Sequence, residues 1–223
     1  MSTKLQKQPR WIERALQGIT HWMGHRRCLY RDYPLSEGAL VAEVCNLIYA
    51  NLPQTHQLLC EVQYSSLVSC HPVPGPLQGR IRADLVVARK AAQRHVDPVP
   101  EFIIEVKRAS APRNLIDADI LRLAVLRRHH PDIRAFVFVI SEAERPKRFV
   151  NAAGHSIRGI HLISGEDEYF RVRRTWKAAH AFTKRDRAQY ACLLEIYPAS
   201  KKTGGRRNRK NNPARVQQVA ERS

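Results

Sequence analysis

Arg82-Ala-Asp-Leu-Val-Val87 and Glu101-Phe-Ile-Ile-Glu-Val-Lys107 are the two stretches whose reading decides the fold. Both are short, apolar and rich in β-branched residues, as strands are. Side chains at i and i+2 share a strand face, so Glu105 and Lys107 point together with Ile103, while Phe102, Ile104 and Val106 point the other way. In the first run Leu85 and Val87 share one face, and Asp84 shares the opposite face with Arg82 and Val86. Apolar residues on both faces suit strands covered on both sides. Pairing the two runs brings Asp84 beside Glu105 and Lys107.

Carboxylates and an ammonium on apolar strands are costly to bury without a partner or an ion. A divalent cation is one answer. Magnesium takes oxygen ligands, keeps several waters, and is commonly held by one or two carboxylates plus substrate phosphate. Asp84 and Glu105 suit that set, the Val106 carbonyl lies between the two side chains of Glu105-Val-Lys107, and Lys107 can position or activate a water and stabilise a charged transition state. The plainer alternative is an ion pair between Lys107 and Glu105 or Asp84 at a sheet edge. The position of the acids within the most apolar segments argues against it.

Asp84 followed by Glu105-Val106-Lys107 resembles the PD-(D/E)XK superfamily of restriction-endonuclease-like nucleases. Ala83 stands where the nominal proline would be. The resemblance implies an α/β fold, a mixed central β-sheet flanked by α-helices, with Asp84, Glu105 and Lys107 as catalytic residues and Asp84, Glu105 and Val106 around the metal. Many members carry a glutamate on the helix before the sheet, and Glu43 matches it. Ser36 to Leu52 has helical spacing of Leu40, Val44, Leu47 and Ile48, with Ser36 as N-cap and Pro53 beyond the end. Glu61, on an expected strand from Leu58 to Leu67, is the alternative fourth acid. The likeness in element order covers residues 36 to 141. It implies Mg, with Mn able to substitute, and a Mg-dependent deoxyribonuclease, an endonuclease of a defence or mobile-element system. A noncatalytic nucleic-acid-binding module and an RNA nuclease stay open as alternatives.

The chain has 223 residues and a formal net charge of +18, which points to a polyanionic partner, nucleic acid first and an acidic membrane second. The charge gathers at the ends. Residues 199–223 hold eight cations against Glu221 alone, including Lys201, Lys202, Arg206, Arg207, Arg209 and Lys210, and few apolar residues. Such a tail is expected to be disordered in isolation and to contact phosphates without reading sequence. Residues 1–34 form a basic amphipathic segment with Trp11, Ile12, Ala15, Leu16, Ile19, Trp22 and Met23 at helical spacing. Docking on the sheet, or pairing in a homodimer or larger protein complex, is expected of it ahead of a third reading, a basic membrane-surface helix. Residues 35–198 then make the nuclease-like domain.

Other motifs are weaker. No apolar run reaches membrane-spanning length and no signal-peptide core follows the charged start, so a cytoplasmic protein without membrane association is expected. Five cysteines, none in a C-x-x-C pair, fit an intracellular protein and make zinc a poor prospect. Glycine-rich phosphate loops are missing too. Asn114 is expected to cap a helix through about His130, with Asp117 and Asp119 suiting its dipole and Arg122 within reach of a phosphate. Ile133 to Ile140 reads as a strand reached by a crossover. Tyr169, Phe170 and Trp176 among Arg171, Arg173 and Arg174 suggest either a stacking surface or an edge strand with core aromatics. A last helix is expected from Lys184 to Tyr197.

Overall fold

The computed structural model describes residues 6–29, 33–68, 70–91, 97–142, 144–163, 168–178 and 187–198. In chain order these give α1 (Arg10–Leu29), α2 (Glu37–Asn51), β1 (His56–Gln63), β2 (Arg82–Arg89), β3 (Val99–Arg108), α3 (Arg113–His129), β4 (Arg134–Ser141), β5 (His161–Leu162), β6 (Tyr169–Lys177) and β7 (Tyr190–Tyr197). The strands make one mixed sheet in the order β1-β2-β3-β4-β7-β6-β5.

The two decisive runs pair antiparallel as β2 and β3, with Leu85 opposite Ile104, Val86 opposite Ile103 and Val87 opposite Phe102. Their alternation sorts the core. Leu85, Val87, Ile104 and Val106 enter the cluster shared with α1 and α2, whereas Val86 and Ile103 enter the cluster shared with α3. Covering both faces explains why the strands are apolar on both sides. From β3 the chain crosses through α3 and returns as β4, parallel to β3. All other strand pairs are antiparallel.

Ser36 caps α2 by accepting a hydrogen bond from the Ala39 N–H at 3.2 Å, and Leu40, Val44 and Ile48 face inward. Helix α1 docks on the same side of the sheet, burying Trp11, Ile12, Ala15, Leu16, Ile19 and Met23. The two helices approach closely at Gly18, where a Cβ would lie 2.7 Å from Leu47 Cδ2. Helix α1 therefore shares one core with α2 and the sheet. The segment before α1 is tethered as well. Arg134 and Arg173 both bond the buried Glu195, at 2.9 and 2.5 Å, and donate to the Lys7 and Gln6 carbonyls.

Two expectations change. Residues Tyr190–Tyr197 form a central strand between β4 and β6 instead of the end of a helix, because an eight-residue apolar run buried on both faces pairs its backbone with two neighbours. The rings of β6 follow the core-aromatic alternative, although β6 is not an edge strand: Phe170 is buried, Trp176 packs on the core and Tyr169 stacks on Tyr197 at 5.1 Å. Helix α3 begins at Arg113 after Pro112, without a side-chain cap from Asn114. The expected tail contacts, Lys201, Lys202, Arg206, Arg207, Arg209 and Lys210, lie outside the described residues. No helix among the described residues is long and apolar enough to cross a membrane.

Candidate active site

Strand register places the acids together. The β2–β3 ladder ends at Leu85 opposite Ile104, which leaves Asp84 and Glu105 as the next facing positions. There the Asp84 side chain takes over from the ladder, its Oδ2 accepting the Val106 N–H at 2.8 Å. In an extended strand a residue's N–H and C=O point to the same neighbour, so the Val106 carbonyl faces the side of Asp84 too.

Glu105 is 2% exposed and accepts a hydrogen bond from the hydroxyl of Tyr64, itself fully buried. Burial, then the charge of Asp84, pushes the Glu105 carboxyl well above its ordinary pKa, and the Tyr64 hydroxyl opposes them. Asp84 is also raised by burial, against the pull of the Val106 N–H and Lys107. Two acids in such a place repel one another when both are ionised.

Lys107 Nζ lies 2.7 Å from Glu37 Oε1 and 3.4 Å from Asp119 Oδ2. Burial by itself would lower the lysine pKa, but the Glu37 hydrogen bond and the charges of Asp119, Asp84 and Glu37 together raise it. Asp119 also pairs with Arg122, whose guanidinium lies over the Tyr64 ring at 5.6 Å. The group thus comprises Asp84, Glu105 and Lys107, held by Tyr64, Glu37, Asp119 and Arg122.

The helical glutamate at this group is Glu37, not Glu43. Glu37 begins α2, and the i+3, i+7 spacing sets it on the stripe of Leu40 and Val44, at the end of the helix nearest Lys107. Glu43 sits six residues along, about 9 Å by helical rise, and has no hydrogen bond or ion pair to the group among the described residues. Glu61 does not join it either: its backbone turns into the left-handed region at φ 55° and its side chain is exposed. Arg122 is committed to Asp119. Asp119, expected to serve the helix dipole, is 7% exposed and touches Lys107 instead. The missed members had weak signals. Glu37 sits one residue after a predicted N-cap, where acids are ordinary, and Tyr64 leaves β1 in a 3₁₀ turn, Tyr64–Leu67.

The donor set offers oxygen ligands to a hard cation. Among the described residues no group of three His, Cys, Asp or Glu side chains is placed to hold a metal ion. Two adjacent carboxylates and a backbone carbonyl form an open oxygen set, which suits magnesium with its retained waters rather than a caged ion. A cation between Asp84 and Glu105 would offset the burial that raises both carboxyls and the Asp84 charge that raises Glu105 further. No family model matches the chain, and comparison with curated proteins and solved structures finds no match.

Proposed function

We propose that this chain is a divalent-metal-dependent phosphodiesterase that cleaves DNA within the strand. The observation that carries the reading is the pair of half-buried Asp84 and buried Glu105 at the end of the β2–β3 ladder, with Lys107 two residues on from Glu105 on the same strand face. The element order α2-β1-β2-β3-α3-β4, with β3 and β4 parallel, supports it, being the order that resemblance to the PD-(D/E)XK nucleases implies. The charge of +18 supports a polyanionic substrate.

Asp84, Glu105 and the Val106 carbonyl would hold Mg, or Mn in its place, which when bound supplies positive charge to the phosphate and acidifies a water. Lys107 contributes a fixed cation. Its ammonium is held by Glu37 and Asp119, so it donates hydrogen bonds to the attacking water or a phosphate oxygen rather than accepting a proton. Tyr64 fixes the Glu105 carboxylate, and the Arg122–Asp119 pair fixes the approach of α3 to Lys107. Residues that orient ligands in this way are worth about 10–100-fold in affinity or activity.

Full-length protein is expected to nick or linearise supercoiled plasmid with Mg or Mn and to stop in chelator. Asp84→Asn and Lys107→Ala are expected to abolish cleavage while keeping the fold, and matched RNA separates the two polymers. The closed Lys107–Glu37–Asp119 contacts favour one second reading, a nucleic-acid-binding module without catalysis. It predicts salt-sensitive binding unchanged by Lys107→Ala and no cleavage with any metal.

A further inference from the structure

A cleft of about 860 Å³ opens beyond the carboxyl ends of the parallel strands β3 and β4. In open α/β sheets, ligands sit in such crevices outside the carboxyl ends of the strands. Its walls come from the β3–α3 connection, the first turns of α3 and the segment after β4. It starts at Arg108, the residue after Lys107 on β3, and so adjoins the candidate active site along the chain, although Asp84, Glu105 and Lys107 are not in its lining.

Its charge is one-sided. Arg108, Arg113, Arg145, Lys147 and Arg148 line it, against two carboxylates, Glu142 and Glu144. Glu142 is already occupied: it accepts the Leu35 N–H at 3.1 Å and lies 3.8 Å from Arg108. Asp117, at the edge, pairs with Arg148 and lies 3.4 Å from Arg113. Arg113 keeps a side chain 72% exposed, and Lys147 is exposed with no acidic partner among the described residues. The first turn of α3 adds the positive end of a 17-residue helix.

The lining also limits what can be recognised. Among the described residues Phe149 is its sole aromatic residue and is buried against Phe170, so these residues present no open ring on which a base could stack. Cations without a stacking platform contact phosphates and leave bases unread. A pocket of this size encloses a drug-sized molecule, the scale of a short stretch of one strand and not of a duplex.

We propose that this cleft carries the phosphodiester backbone of the substrate strand away from the Asp84–Glu105–Lys107 group, with Arg113 and Lys147 as its phosphate contacts. The identity of the bound strand as substrate rests on the nuclease reading; the backbone contact itself does not.

Salt dependence tests it. Anisotropy of labelled single-stranded DNA and RNA of equal length is measured with the full chain, in chelator, over a range of salt. Each phosphate contact contributes about 0.7 to the slope of log K against log salt for a single strand. Arg113→Gln/Lys147→Gln is therefore expected to lower the slope by about 1.4 on both polymers, with thermal unfolding unchanged. Arg10→Gln/Arg14→Gln on α1, both exposed, removes the same charge elsewhere and is expected to change the slope much less. Equal changes for the two pairs, or none for the cleft pair, overturn the proposal. Cleavage separates it from the nuclease reading. If Asp84→Asn abolishes cleavage while the cleft pair leaves the slope intact, the cleft proposal fails alone; if the wild type never cleaves yet the cleft pair lowers the slope, the nuclease reading fails and the backbone site stands.

Discussion

Lys107 on β3 and Glu37 at the start of α2 meet at 2.7 Å, joining residues seventy positions apart at the edge of the candidate active site. The contact fixes where the helical carboxylate acts. Helix α2 runs over the sheet with its N-terminal end toward Lys107, so an acid in its first turn reaches the lysine and one six residues later does not.

Glu37→Ala is accordingly expected to lower the metal-dependent cleavage rate by about 10–100-fold, the usual effect of removing a group that orients a catalytic or ligating residue. Glu43→Ala should stay within a few-fold of wild type. Rates at saturating and limiting Mg check both. The reverse ranking would return the helical role to Glu43.

Tyr64 offers a test independent of catalysis. Its hydroxyl bonds Glu105 in a site closed to water, so Tyr64→Phe leaves a buried carboxyl without its donor. Losing a hydrogen bond to a charged or buried acceptor costs about 1–3 kcal/mol. Urea unfolding in chelator should show that loss as a lower midpoint with an unchanged slope. An unaltered midpoint would show that Glu105 finds another donor.

Much of this arrangement was legible from residue spacing. The alternation around Asp84 and Glu105 predicted their shared face, and the apolar stripe of α2 predicted its buried side. Glu37 and Glu43 could not be ranked, because the choice depends on the direction in which α2 crosses the sheet and not on spacing within it. Tyr190–Tyr197 misled for another reason: Tyr190, Leu193, Leu194 and Ile196 fit a helical stripe, while a short apolar run fits a buried strand equally well. Its position between β4 and β6 decides the matter, and that is a property of the whole sheet.

The buried acids also make stability depend on pH in a defined direction. Glu105 has a folded-state pKa raised well above the ordinary 4.5, by burial and by Asp84. A raised carboxyl pKa means that the folded state holds its proton more tightly than the unfolded state does. Stability from this group is therefore complete below pH 4.5 and is lost as pH rises toward the folded-state value. In chelator, the wild-type Tm should fall more steeply with rising pH than that of Glu105→Gln, which keeps an oxygen for Tyr64 but carries no proton equilibrium. Added Mg should raise the wild-type Tm, more at pH 8 than at pH 5, and leave the variant nearly unmoved. Parallel pH profiles for the two proteins in chelator would refute the burial argument.

Cys45 on α2 and Cys60 on β1 place their sulfurs 3.5 Å apart. Burial, the hydrogen bond and charge of Cys45, and the charge of Glu61 push the Cys60 thiol from 9.0 up to about 11. The thiolate is the nucleophile, so exposure alone does not make this residue reactive. Alkylation of Cys60 by iodoacetamide, followed by peptide mass spectrometry, should have a pH midpoint near 11 in the native chain and near 9 in denaturant. Cys45→Ala removes the nearest cause but not the burial, so its midpoint should fall between those two. A native midpoint at the denatured value, or one that Cys45→Ala does not move, would show that the two thiols do not interact in solution.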